Sequence, residues 1–253
     1  MTLTIGTFLL VCPFLFLAGF VDAIAGGGGL ISLPIYMIAG LPPHQSVATN
    51  KLSSTCGTAL ATFKFIKEKL VNFKLAIPSV IAAVGGSSIG AHLSLLLDEK
   101  YMTYVLIAVL PVVAFFVLNK KLFNDKGSDE IILNRKTYII AISSAFIIGI
   151  YDGFYGPGTG TFLIIAFTVF AKLSVGTSNA QAKIINLTTN VTSLIIFIAN
   201  GQVLFSLGLA AAAFNMLGNY VGARLAISKG TKIVKPIIIG VLILLFLKII
   251  KVI

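Results

Sequence analysis

Apolar residues gather in ten stretches along this chain, parted by glycine, proline and short polar runs: 4–24, 29–40, 44–66, 73–97 and 101–119, then 137–152, 159–171, 177–200, 204–227 and 233–252. Most are long enough to cross a hydrocarbon layer of about 30 Å, which takes about 20 helical residues. The second stretch of each group of five is too short for an ordinary spanning helix. Strand-period alternation is absent, so a transmembrane β-barrel fits poorly. The pattern predicts an all-α polytopic membrane protein with about eight full transmembrane helices and two short, broken segments.

The two groups of five read as repeats of one another. Gly19-Phe20-Val21-Asp22 followed by Gly26-Gly27-Gly28 aligns with Gly149-Ile150-Tyr151-Asp152 followed by Gly156-Pro157-Gly158, at an offset of 130. Past a two-residue insertion the offset becomes 132, where Ala48-Thr49-Asn50-Lys51 meets Ala180-Gln181-Ala182-Lys183 and Gly86–Ala91 meets Gly218–Ala223. The expected division is a first repeat over 1–119, a linker over 120–136 and a second repeat over 137–253.

Charge placement bears on orientation. Residues 64–74 carry four lysines in the first repeat, whereas the matching stretch 200–205 of the second is uncharged. The asymmetry reverses at the next loop, where 97–101 is mainly acidic and 228–235 holds three lysines. Cytoplasmic loops collect lysine and arginine, so the halves are expected to face opposite ways, with the central linker in the cytoplasm. Inversion needs an odd number of crossings per repeat and makes the short segments cross, five per half. Short segments that re-entered and returned would instead give four crossings and parallel repeats.

Composition agrees with the membrane reading. Of 253 residues, 57% are hydrophobic and 11% charged, too little polar surface for a soluble domain. The net charge of +11 lies mostly in short segments between apolar stretches and none of it precedes Lys51, which implies membrane topology and no nucleic-acid partner. Ala23-Ile24-Ala25 looks like a signal-cleavage site, but without a basic n-region no cleavage is expected. Cys12 and Cys56 form no ligand pattern, so a metal site is not expected.

Candidate chemistry concentrates where glycine interrupts the apolar stretches. Asp22–Gly29 and Asp152–Gly160 are two such breaks, and a membrane tolerates broken helices only inside protein or beside a wet cavity. A short helix starting after a break aims free N–H groups and its positive dipole end inward, which attracts anions. Breaks at paired positions mark transporter sites, so Gly26, Gly27, Gly28, Gly29, Gly156, Gly158, Thr159 and Gly160 are candidate substrate contacts. The alternative is a tight turn between packed helices.

Pro42 and Pro43 suit a helix start, and Ser178 or Asn179 suits a cap on the matching helix. Lys51 then lies about 12 Å along its helix, near mid-membrane, and Lys183 repeats it. Lysines at that depth face a cavity or a partner. Asn50, Ser53, Thr58, Asn186 and Asn190 recur at helical spacings and suggest a polar stripe on the same cavity. Asp22 and Asp152 suit either proton coupling or the capping of nearby N–H groups. Gly86/Gly90 and Gly218/Gly222 read as close-packing faces, with His92 and Arg224 snorkelling beside them and His44 at an interface.

No zinc-protease motif, Walker loop, nucleophile elbow or serine triad is present, so neither catalysis nor a cofactor is expected. The chain resembles the TauE/SafE family of membrane transporters, also called sulfite exporters or TSUP proteins. The likeness rests on Gly19–Pro34 with its AGGGG core, Leu41-Pro42-Pro43-His44, Ala48–Lys51, Asp152–Phe162 and Gly218–Leu225. The DAIAGGGG and YDGFYGPGTG forms resemble one widespread bacterial subgroup. Many relatives carry Gly-Thr-Ser where this chain has Ala48-Thr49-Asn50 and Ala180-Gln181-Ala182. The resemblance implies a multi-pass protein of the bacterial inner membrane that moves sulfite, sulfonates or related small organic anions. The competing expectations are a membrane accessory protein that transports nothing and a passive anion channel.

Overall fold

A computed structural model describes residues 3–98 and 133–229, together with Tyr101, Tyr104, Lys232, Ile233 and Pro236. Apart from these isolated residues, the expected stretches 101–119 and 233–252, and most of the 120–136 linker, lie outside the described residues. Eight helices fill the rest: α1 Ile5–Ala25, α2 Gly29–Ile38, α3 Pro43–Lys67, α4 Phe73–Leu96, α5 Arg135–Phe154, α6 Thr159–Val169, α7 Val175–Ala199 and α8 Phe205–Lys229. No strand forms an element among the described residues. Four helices, α1, α4, α5 and α7, are long and apolar enough to cross a membrane, and α2 and α6 are the short apolar pair.

Local chemistry sets the boundaries. The α3 helix opens at Pro43, where a missing N–H costs nothing because the first helical donors have no partner anyway. Asn72, Asn134 and Ser174 cap α4, α5 and α7 by accepting from the N–H three residues on. The α7 cap is therefore Ser174 and not Ser178 or Asn179, which lie inside the helix. Its start is set four residues earlier because Ser174 is extended and its hydroxyl reaches Thr177 N. Gly26 ends α1 in the left-handed region, φ 72°, and its N–H donates to Asp22 O at 2.8 Å.

Polarity is reversed relative to a water-soluble bundle. Ile5, Leu9 and Leu17 of α1, Ile77 and Ile81 of α4, Ile139 and Ile147 of α5, and Leu209 and Leu217 of α8 are exposed. The buried faces of α3 and α7 instead hold Thr49, Asn50, Lys51, Ser53 and Thr58, and Asn179, Gln181, Lys183, Asn186 and Asn190. Acyl chains gain nothing by expelling leucine, so helices here associate through close packing and buried polar contacts.

The most extensive contacts join α1 to α8 and α4 to α5. Both crossings use glycine in the same way. A side chain at Gly86 or Gly90 would run into the carbonyls of Phe146 or Ile150, and one at Gly218 or Gly222 into those of Phe16 or Phe20. The two sets of partners stand at the offsets of 132 and 130 found in the sequence. Their order shows that α8 runs alongside α1 in the same direction, as does α5 alongside α4.

A candidate anion site at the paired helix breaks

The two glycine breaks meet inside the bundle. Thr161 donates from its N–H to Gly26 O at 3.3 Å and from its hydroxyl to Ala25 O at 2.7 Å. Gly26 and Gly160 press backbone to backbone, leaving no room for a Cβ on either. Gly156 and Gly158 hold φ of 91° and 81°, which carries the chain from α5 into α6.

Each break carries an aspartate, and each aspartate holds a lysine from the opposite half. Lys51 Nζ donates to Asp152 Oδ2 at 2.7 Å and to Asn190 Oδ1 at 3.1 Å. Thr159 hydroxyl occupies the other oxygen, Asp152 Oδ1, at 2.6 Å. In the equivalent place, Lys183 Nζ donates to Asp22 Oδ2 at 2.9 Å and also to the Asp22 carbonyl. Thr58 hydroxyl lies 3.4 Å from the same carboxylate oxygen. Both lysines are buried, at 1% and 0% exposure, so these are desolvated pairs. Removing one member of such a pair strands the other, a far larger cost than losing both.

A small polar cavity of about 20 Å³ opens beside Lys51, lined by Asp22, Gly26, Gly29, Asn50, Ser54, Asp152, Gly156, Thr159, Asn186 and Asn190. It has room for one water-sized species. Of the residues expected to contact substrate, Gly27, Gly28, Gly158, Gly160 and Lys183 do not line it. Gly28 is instead wedged against Ala18 O and the Asp22 side chain. Ser53 faces away, accepting from Tyr36 hydroxyl at 3.1 Å, and Ser54 takes its place on the cavity. Several N–H groups of the breaks are taken by local turns, including Leu30 N to Gly27 O at 3.1 Å and Thr159 N to Gly156 O at 3.3 Å.

Sequence reasoning named the lysines and aspartates separately and missed their pairing. The signal was present, because two cations and two anions at repeated positions in apolar sequence have few other ways to be neutralised. Among the described residues no backbone N–H donates to either carboxylate, as the capping alternative would have it; both are engaged by lysine and hydroxyl groups.

The sulfite exporter TauE/SafE family model matches residues 11–249. The chain belongs to the TauE/SafE family. Relatives of this TauE/SafE protein include probable membrane transporter protein ORF9 of Sinorhizobium sp., 35% identical over 92% of this chain and 88% of that one. Probable membrane transporter protein YfcA of Escherichia coli K12 is 35% identical over 88% of this chain and 82% of its own. A probable membrane transporter protein of Haemophilus influenzae is 32% identical over 88% and 87%. No solved structure matches the chain. Family membership and the apolar helices make this a multi-pass membrane transporter.

Proposed function

We propose that the chain is a secondary transporter of a small anion, with sulfite and small sulfonates as the substrate class, in the bacterial inner membrane. The observation that carries this reading is the pair of buried Lys–Asp contacts at the two helix breaks. A lysine and a carboxylate in contact cancel each other's charge, so an entering anion finds a free cation only when the carboxylate takes a proton. Asp152 thereby couples anion to proton, while Lys51 supplies the positive charge. Asn50, Asn186 and Asn190, with the break backbones at Gly29 and Gly156 where they line the cavity, supply hydrogen bonds. The family's description as sulfite exporters supports the substrate class. The small size of the cavity supports a gated carrier over an open pore.

Alternating access then comes from motion of residues 1–119 against residues 137–253, the two repeats joined by the 120–136 linker. Inversion of these repeats, with eight full crossings and two short ones, has support in how the described helix ends are tied together. Leu41, after α2, belongs to the same apolar cluster as Leu3, before α1, and Leu204, before α8, which supports α2 returning towards the end where α1 began. Leu204 N donates to Thr49 near the start of α3, and His44 touches Ser94 near the end of α4, so these meet at that same end. Gln181 near the start of α7 donates to Asn72 O at the start of α4, which marks the opposite end. Lys64, Lys67, Lys69, Lys74, Arg135, Lys136, Lys172 and Lys229 all fall towards this second end, which supports the reading of it as the cytoplasmic one.

Proteoliposomes test the function directly. Sulfite influx is expected to rise when the outside is made acidic, and to vanish in K51M/D152N, which removes the pair together and strands no charge. Unchanged flux in that variant would remove the central site from the reading. Cysteine probes at K69C and Q202C are expected to label from opposite faces; labelling from one face would exclude the inverted arrangement.

A further inference from the structure

The two ion pairs are equivalent by position and unequal in surroundings, and three differences all fall the same way. Asn50 beside Lys51 corresponds to Ala182 beside Lys183, at the offset of 132. Asn190, which accepts from Lys51, corresponds to Thr58. Thr159, which donates to Asp152, corresponds to Gly29 at the offset of 130. Ser54 and Asn186 are each other's counterparts at the offset of 132 and both line the cavity, so the cavity sits between the halves. Of its further polar lining, Asn50, Asn190 and Thr159 stand on the Lys51–Asp152 side and Asp22 alone belongs to the other pair.

Hydrogen-bond logic fixes which atoms face inward. An ammonium only donates, so the Asn190 atom receiving Lys51 is the oxygen and its amide nitrogen is a donor. That nitrogen donates to Asn186 Oδ1 at 3.4 Å, which leaves Asn186 Nδ2 as the free donor. Ser54 hydroxyl donates to Asn50 Oδ1 at 3.4 Å, which leaves Asn50 Nδ2. Among the described residues neither nitrogen donates to a protein group, although Asn50 is 7% and Asn186 5% exposed and both line the cavity. Two amide donors without a protein partner, on nearly buried side chains beside the Lys51 ammonium, suit the oxygen atoms of a small oxyanion.

We propose that the protein has one working site and not two: Asn50 and Asn186 receive one small oxyanion beside Lys51–Asp152, and Lys183–Asp22 is a strut that binds nothing. This rests on the anion-transport reading above and divides its residues between two tasks.

The test makes the working side carry the residues its counterpart already has. The variant N50A/N190T/T159G places at each site the residue found at the equivalent position, and it keeps both ion pairs. Purified full-length protein is heated with sulfite, methanesulfonate or chloride, and sulfite flux is followed in proteoliposomes. Wild type is expected to be stabilised by sulfite or methanesulfonate more than by chloride. The triple variant is expected to bind the preferred oxyanion about tenfold more weakly or worse, as the loss of several hydrogen bonds to an anion implies. K183M/D22N is expected to stay within about threefold of wild type. N50A alone, which leaves both pairs and the Asn190 relay intact, keeps the test open should either multiple variant fail to fold; it too is expected to weaken binding.

Wild-type affinity in N50A or in the triple variant would overturn the proposal, as would equal losses in K183M/D22N and K51M/D152N. Equal losses would still leave a central anion site standing. Wild-type binding in K51M/D152N, or stabilisation by none of the probes, would instead remove that site and the proposal with it.

Discussion

The Lys51–Asp152 and Lys183–Asp22 contacts occupy matching places in the two halves, yet the first is wrapped in more polar groups than the second, where the Thr58 hydroxyl reaches Asp22. Asp152 is held by lysine on one oxygen and by Thr159 on the other, and a cavity opens alongside. Lys183 is held twice by Asp22, through carboxylate and carbonyl, and does not line the cavity. The helix crossings show the opposite tendency, because Gly86/Gly90 and Gly218/Gly222 meet equivalent carbonyls in both halves. Duplicated sequence has stayed alike where backbone meets backbone and has diverged where side chains meet space. A contact between backbones admits one residue type, whereas the lining of a cavity admits many.

The largest effects should come from stranding one charge. K51M and K183M each leave a buried carboxylate unpaired, and each is expected to cost about 3–5 kcal/mol of stability. Thermal unfolding in detergent should show both losses, each relieved by the matching D152N or D22N. Equal stability with divergent flux would sharpen the contrast between the two pairs, and equal flux would break it.

Next come the crossings. G86A and G218A each push a methyl group into a facing carbonyl and should each cost about 1–3 kcal/mol. Similar losses at the two sites are expected; a loss at one alone would mean that the packing is not duplicated as the contacts suggest.

Thr159 is a smaller and one-sided test. T159A removes a hydroxyl bonded to a carboxylate and should cost about 1.5 kcal/mol, with sulfite flux reduced. The counterpart change, G29A, removes no hydrogen bond, though it tightens the approach to Pro157. The smallest expected effect is at the caps, where S174A and N72A should each cost about 1 kcal/mol and leave the substrate preference unchanged.

Much of this was legible in the sequence, for identifiable reasons. Helix positions followed from the length of apolar runs and from Pro43, Asn72 and the glycine breaks, because local chemistry decides those boundaries. Lys51, Asn50, Asn186 and Asn190 stood out as polar residues in apolar surroundings, and the structure brings them to one cavity. The pairing of Lys51 with Asp152 and of Lys183 with Asp22 was not legible, since partners 101 and 161 residues apart are chosen by tertiary packing. For the same reason spacing alone exchanged Ser53 for Ser54. One residue turns a side chain by about 100° around a helix, and only the neighbouring helix decides which of the two faces inward.

Both buried ion pairs run between the halves, and this has a consequence for how the protein is made. When α3 leaves the ribosome, Lys51 does not yet have its native partner, because Asp152 is still to be synthesised. Asp22 waits longer still for Lys183. Neither half contains the partner that its buried charges take in the folded protein, so each should insert poorly when expressed alone and recover when the two are co-expressed. Assembly is then a late event, closed by the arrival of α7, and a chain interrupted before Lys183 carries a marker of its own incompleteness in the form of an unpaired acid inside the bilayer.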